Sequence, residues 1–142
     1  MVAVEQWFRS SPGDVFDALC DAPRYPEWLV GAQHVRSPDA EWPEPGASFD
    51  HRVGAGPIQI HDRSTVLESD PPWRLQLLVR ARPLLKATVD FELHPGERGT
   101  RVVMDERPTG RFRVLAPLIA PVVKARNARS LRNLANQISG ER

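Results

Sequence analysis

The sequence predicts an α+β domain built of two layers. Three observations carry this reading. The middle of the chain, Ser48 to Arg107, alternates apolar and polar residues in one strand-like run after another. A strand and an interrupted helical stretch precede that run. After it comes a segment with one apolar stripe at helical spacing. At 142 residues the chain is one domain, residues 1–142, and long enough for a real core. Strands in series, closed by a long helix, bury their apolar faces against each other in two layers.

The elements follow in order. "VAVEQWF" (2–8) alternates as a first strand should. "SSPGDVFDALCD" opens a helix: Ser11 is placed to cap it, Pro12 suits its first position, and Asp14 complements the positive end of the helix dipole. Val15, Phe16 and Leu19 form its buried stripe, and Pro23 ends it. A second short helix is expected from about Arg24 to Val30. "SFDHRV" then sets Phe49, His51 and Val53 against Asp50 and Arg52, and "GAGP" makes a turn. "IQIHDRSTVLE" runs as a long strand until "SDPPW" breaks it. The next strand places Leu75, Leu77, Val79 and Ala81 on one face, with Gln76, Arg80 and Arg82 on the other. Ala87, Val89, Phe91 and Leu93 continue the apolar face, "PGERG" turns the chain, and Thr100, Val102 and Met104 close the series. One face is apolar throughout, the pattern of an antiparallel sheet covered on one side. Pro121 is a natural first-turn residue for the last helix. At about 100° per residue its Val123, Asn127, Leu131, Leu134 and Ile138 fall within about 80° of one another. Lys124, Arg126, Arg129 and Arg132 take the flanks and the opposite face.

Composition narrows the function classes. The formal net charge is +1, so there is no overall bias towards nucleic acid or membrane. The charge is uneven, however: residues 111–142 carry seven Lys/Arg and one acid, and the rest of the chain is net acidic. A single cysteine, Cys20, excludes an intramolecular disulfide and a thiolate metal cluster, and fits a reducing compartment. It reads as a small buried apolar residue. The N-terminus has no signal-peptide pattern, and the longest apolar run, "VLAPLIAPVV", is too short to span a bilayer. A cytoplasmic protein is expected. No hydrolase elbow, zinc helix, phosphate loop or dinucleotide fingerprint is present, and no cofactor or metal is expected.

Four pieces, "SSPGDVFDALCDAPRYPEW", "TVLESDPPWRLQL", "GERGTRVVMDE" and "ARSLRNLANQI", occur in an order that resembles the START-like superfamily, also called the SRPBCC or Bet v 1-like group. Within it the chain is most similar to bacterial polyketide cyclase/dehydratase and lipid-transport-like proteins. The resemblance implies a helix-grip fold: a curved antiparallel sheet wrapped around the long C-terminal helix, two short helices at one end, and an internal cavity. It places Tyr25 and Trp28 where such proteins close the cavity mouth or pack under the long helix. Aromatic rings suit either place, because they offer an apolar face and a polar tip. Fold alone does not assign function, since this superfamily hosts carriers, cyclases, hydrolases and co-chaperones.

Given such a cavity, the expected ligand-binding residues are Tyr25, Trp28 and Phe49 at one side and Leu77, Val79, Val89, Phe91 and Met104 on the sheet. Leu131 and Asn127 face them from the helix, and Asn127 is an amide in the middle of an apolar stripe that needs hydrogen bonds. Of the histidines, only His51 lies on the apolar phase; His61 is on the opposite phase, His94 sits at a turn and His34 in a loop. Asp62 shares a phase with Ile58, Ile60 and Val66, and Glu106 with Val102 and Met104. If "GAGP" makes a hairpin, His51 and Asp62 can pair across it, and such a pair can orient an imidazole as a general base. A bulge would instead turn the two acids to water, and that is the outcome expected for both. His51, Asp62 and Glu106 are thus the catalytic candidates if there is chemistry.

Three functions follow. The first is binding of a hydrophobic small molecule, a lipid, isoprenoid or polyketide-like compound, as a carrier or sensor. The second is a cyclase or dehydratase acting on an aromatic polyketide. The third is an interaction module using the basic face of Arg126, Arg129 and Arg132. Nucleic acid is not an expected partner, and a membrane surface ranks below the small molecule.

Overall fold

The computed structural model describes the backbone of residues 2–30, 32–35, 38–55, 58–81, 85–110, 114 and 116–140, and within these the side chains outside 32–35, 51–55, 58–61, 81, 85, 116 and 140. Strand β1 (Val2–Phe8) leads into α1 (Pro12–Leu19). A 3₁₀ turn (Ala22–Arg24) and the short helix α2 (Tyr25–Trp28) follow. Then come β2 (Ala32–Val35), β3 (Ser48–Ala55), β4 (Ile58–Asp70), β5 (Arg74–Ala81), β6 (Leu85–Gly96) and β7 (Gly99–Thr109). Helix α3 (Ala116–Gly140) ends the chain. The seven strands form one antiparallel sheet in the order β1-β7-β6-β5-β4-β3-β2. Helix α3 packs against β1, α2 and α1. This is the helix-grip arrangement.

Local chemistry accounts for the elements. Ser11 caps α1 as expected, its Oγ accepting from the Asp14 N–H at 3.2 Å. Thr100, fully buried at the start of β7, donates to the Ser10 carbonyl at 2.8 Å and fastens that cap to the sheet. The β6–β7 turn packs against the end of β1: a Cβ on Gly99, at φ +152°, would lie 1.8 Å from the Phe8 carbonyl oxygen. Only glycine fits that approach.

Several expectations need correction. His34 is not in a loop but in β2, which at four residues is too short for its alternation to show and exists by pairing with β3. His94 lies within β6, because that strand runs on through Gly96 before turning. The second helical piece is a 3₁₀ turn followed by a single α-turn. Helix α3 begins before Pro121, which lies inside it. Pro117, near the start, needs no N–H donor, and at Pro121 a single backbone bond is lost.

Arg126 does not join the basic outer face. Its Nε turns inward and donates to the Val30 carbonyl at 3.0 Å. Ser130, one turn on and fully buried, accepts from the Val30 N–H at 3.0 Å and donates to the Arg126 carbonyl at 2.9 Å. Asn133 donates to the Trp28 carbonyl at 3.2 Å. These bonds hold Trp28 and Val30 against α3 and satisfy the Trp28 carbonyl and both backbone groups of Val30.

Candidate functional site

The register of the sheet arranges the inner face in rows. Leu75, Phe91, Met104 and Val4 stand opposite one another across β5, β6, β7 and β1, and all are buried. The next row runs Val66, Leu77, Val89, Glu106 and Val2. Beyond it lie Phe49, Ser64, Val79, Ala87 and Pro108. Next on this face is Asp62, whose backbone register partners are His51 and Ala81. Along this direction the face changes character. Its first row is wholly apolar, and its later rows introduce Glu106, Ser64 and Asp62. Coverage also falls, since Val79, Ala87 and Glu106 are only partly buried.

Asp62 corrects an expectation. It is 8% exposed and inward, beside Ser64 and Val66. Strand β4 does have an irregularity, but it falls between Val66 and Glu68, so the alternation is intact at Asp62. Glu106 likewise remains on the inner phase, where its Oε1 accepts from Asn127 Nδ2 at 3.2 Å. Asn127 is completely buried, and its Oδ1 has no partner among the described residues. A buried amide oxygen left so is costly. The backbone sets His51 directly opposite Asp62, as the hairpin expectation required; the His51 side chain lies outside the described residues, as does that of His61.

The expected aromatic residues form one cluster. Tyr25 meets Trp28 edge-to-face at 5.1 Å and Phe49 at 5.2 Å, and Phe49 meets Trp42 at 4.7 Å. Tyr25 and Trp28 are both buried in the main core rather than set on an exposed rim. The Tyr25 hydroxyl donates to the Leu19 carbonyl at 2.5 Å, and burial raises its pKa well above the usual phenol range. Trp28 Nε1 is buried with no partner among the described residues. Trp42, which sequence reasoning missed, donates from Nε1 to the Cys20 carbonyl at 2.7 Å. Its only signal was a tryptophan in the proline-rich stretch "EWPEP". The Cys20 thiol beside it is pushed up to about 12 by burial and then by Asp17. Of the remaining expected residues, Leu77, Val89, Phe91, Met104 and Leu131 are buried in the same core. No group of three or more metal-ligating side chains occurs among the described residues.

The comparisons agree with this architecture. A family model described as "Polyketide cyclase / dehydrase and lipid transport" matches residues 2–139. The chain belongs to that family. A solved protein of Chromobacterium violaceum is similar to this polyketide cyclase/dehydrase-family chain at 17% identity and TM-score 0.78, over 96% of each chain. The di-domain aromatase/cyclase StfQ of the steffimycin biosynthetic pathway is similar at 17% identity and TM-score 0.77 over 98% of this chain and 50% of its own. DynU16, a putative protein of the dynemicin biosynthetic locus, is similar at 22% identity and TM-score 0.73, over 97% of this chain and 46% of its own. This family member therefore spans about half the length of those two proteins. At such identities the likeness is one of fold. No curated protein matches the sequence. Among the described residues no helix is long and apolar enough to cross a membrane.

Proposed function

We propose that the chain binds a hydrophobic small molecule, lipid, isoprenoid or polyketide-like, between the inner sheet face and α3. The observation that carries this reading is Asn127. Its amide is fully buried in an apolar helix stripe, bonded to Glu106 on one side and with Oδ1 unpartnered among the described residues on the other. A ligand hydroxyl donating to Oδ1 would remove that cost. The apolar rows of Leu77, Val89, Phe91 and Met104 would contribute affinity at about 25 cal/mol per Å² of buried surface. Ser64 and Asp62, in the less covered rows, would set the ligand's orientation.

The test is native mass spectrometry of freshly purified protein, followed by denaturing extraction of any bound compound. A stoichiometric apolar molecule bearing a hydroxyl supports the proposal. Empty protein whose thermal stability ignores a panel of lipids and aromatic polyketides overturns it.

A second reading is an enzyme of the cyclase or dehydratase type, favoured by the register that sets His51 opposite Asp62. In it an imidazole held by the carboxylate would take a proton from a carbon next to a carbonyl. Turnover of a polyketide that persists unchanged in His51→Ala would end this reading.

A further inference from the structure

The solvent side of α3 has two halves of different chemistry. At about 100° per residue, Leu118, Val122, Ala125, Arg129 and Arg132 fall within about 80° of one another, opposite the buried stripe of Asn127, Leu131, Leu134 and Ile138. All five are exposed. Leu118 is 78% and Val122 71% exposed; Val114, just before the helix, is 74%. Ile119 is also open to solvent on the flank. From Pro117 to Val123 no side chain can form a hydrogen bond. The next residue is Lys124, exposed, and Arg129 and Arg132 follow on the same face as the ridge. No acidic residue occurs in Ala116–Gly140.

We propose that this face is a docking surface for an anionic lipid bilayer. Leu118, Val122 and Ile119 would enter the boundary between headgroups and acyl chains, and Arg129 and Arg132, on the same face, would meet the anionic headgroups. The order of the two chemistries suits a bilayer. An aliphatic tip without donors or acceptors leaves nothing unpaired when it enters hydrocarbon. A protein partner of this area is normally met with hydrogen bonds and aromatic or arginine anchors, which the tip lacks. At 1.5 Å rise per residue, Arg129 lies about 16 Å and Arg132 about 21 Å along the helix from Leu118. A tilted helix can therefore keep both arginines near the headgroups while its start is immersed. Charge complementarity selects anionic lipid: every charged side chain of the helix is cationic, and each cation near such a surface raises binding about fivefold. This proposal is independent of any ligand inside the domain.

The experiment is co-sedimentation of the full chain with vesicles of phosphatidylcholine alone and with vesicles containing phosphatidylglycerol. Binding is expected to the anionic vesicles, to weaken on phosphatidylcholine, and to fall away near 1 M salt, where the screening length is only about 3 Å. Leu118→Ser combined with Val122→Ser should abolish it. Arg129→Gln and Arg132→Gln should each lower it about fivefold. Arg101→Gln, on the outer face of the sheet, should leave it unchanged. These positions other than Arg101 are exposed and without ion pairs among the described residues, and circular dichroism verifies that the variants fold. Absence of binding to anionic vesicles at low salt overturns the proposal, as does binding that survives the Leu118/Val122 substitutions. Self-association in analytical ultracentrifugation that those substitutions remove would instead make the face a contact between copies of this chain, and would also overturn it.

Discussion

Replacing Asn127 by leucine separates what the amide does for stability from what it does for a ligand. Two effects oppose each other. Asn127→Leu removes a hydrogen bond to a carboxylate, Nδ2 to Glu106 Oε1 at 3.2 Å, worth about 1.5–3 kcal/mol. It also removes a fully buried Oδ1 without a partner among the described residues, whose desolvation costs about 1–3 kcal/mol. The near-isosteric side chain leaves little cavity. The net change in unfolding free energy is therefore small, within about 1 kcal/mol of zero. Adding Glu106→Leu should help, because Glu106 is only partly buried and replacing both partners of a polar pair by apolar groups is close to neutral. Urea denaturation followed by tryptophan fluorescence reads all four corners of the cycle. The reasoning predicts a near-neutral single variant, a double variant at least as stable as the parent, and loss of any co-purifying ligand from both. A loss above about 3 kcal/mol in Asn127→Leu, not recovered in the double variant, refutes it and makes the pair a structural clamp.

Three further predictions concern the frame around that pair. Leu131→Ala, at a fully buried position between α3 and the sheet, should cost about 2–5 kcal/mol in urea denaturation, with the larger values if the space does not collapse. Gly99→Ala forces a Cβ to within 1.8 Å of the Phe8 carbonyl oxygen, so the β6–β7 turn must move; a thermal midpoint unchanged from the parent would contradict the packing described. The Cys20 thiol, pushed up to about 12, should react slowly with Ellman's reagent at pH 8 and promptly once the chain is unfolded in urea. Because its folded pKa lies above its unfolded value near 9.0, stability should decline as pH rises from that value towards about 12, and Cys20→Ala should flatten that decline.

Much of the frame was legible because it rests on local rules. Ser11 capping α1, the apolar phase of Leu75 and Leu77, and the stripe of Asn127, Leu131, Leu134 and Ile138 all follow from backbone periodicity and side-chain chemistry within a few residues. The candidate site was only half legible. Alternation put Asp62 on the inner phase, but whether a bulge would turn it outward depends on pairing with β5, and that pairing shifts only after Val66. Trp42 and Ser130 gave little warning, since each matters through a bond to a distant stretch: Trp42 to the Cys20 carbonyl and Ser130 to the Val30 N–H.

The sequence by itself determined the element order, the inward face of most strands and the helix stripe. Those depend on periods of two and 3.6 residues that any short window displays. Only the tertiary structure decided the rest. It turned Arg126 inward to the Val30 carbonyl, which stripped the basic face of one member. It set Glu106 against Asn127, made β2 a strand and placed Tyr25 and Trp28 inside the core. It also left Leu118 and Val122 uncovered although their residue type predicts burial. Each of these turns on which surface meets which. That is a matter of long-range contact, to which periodicity within one segment is blind.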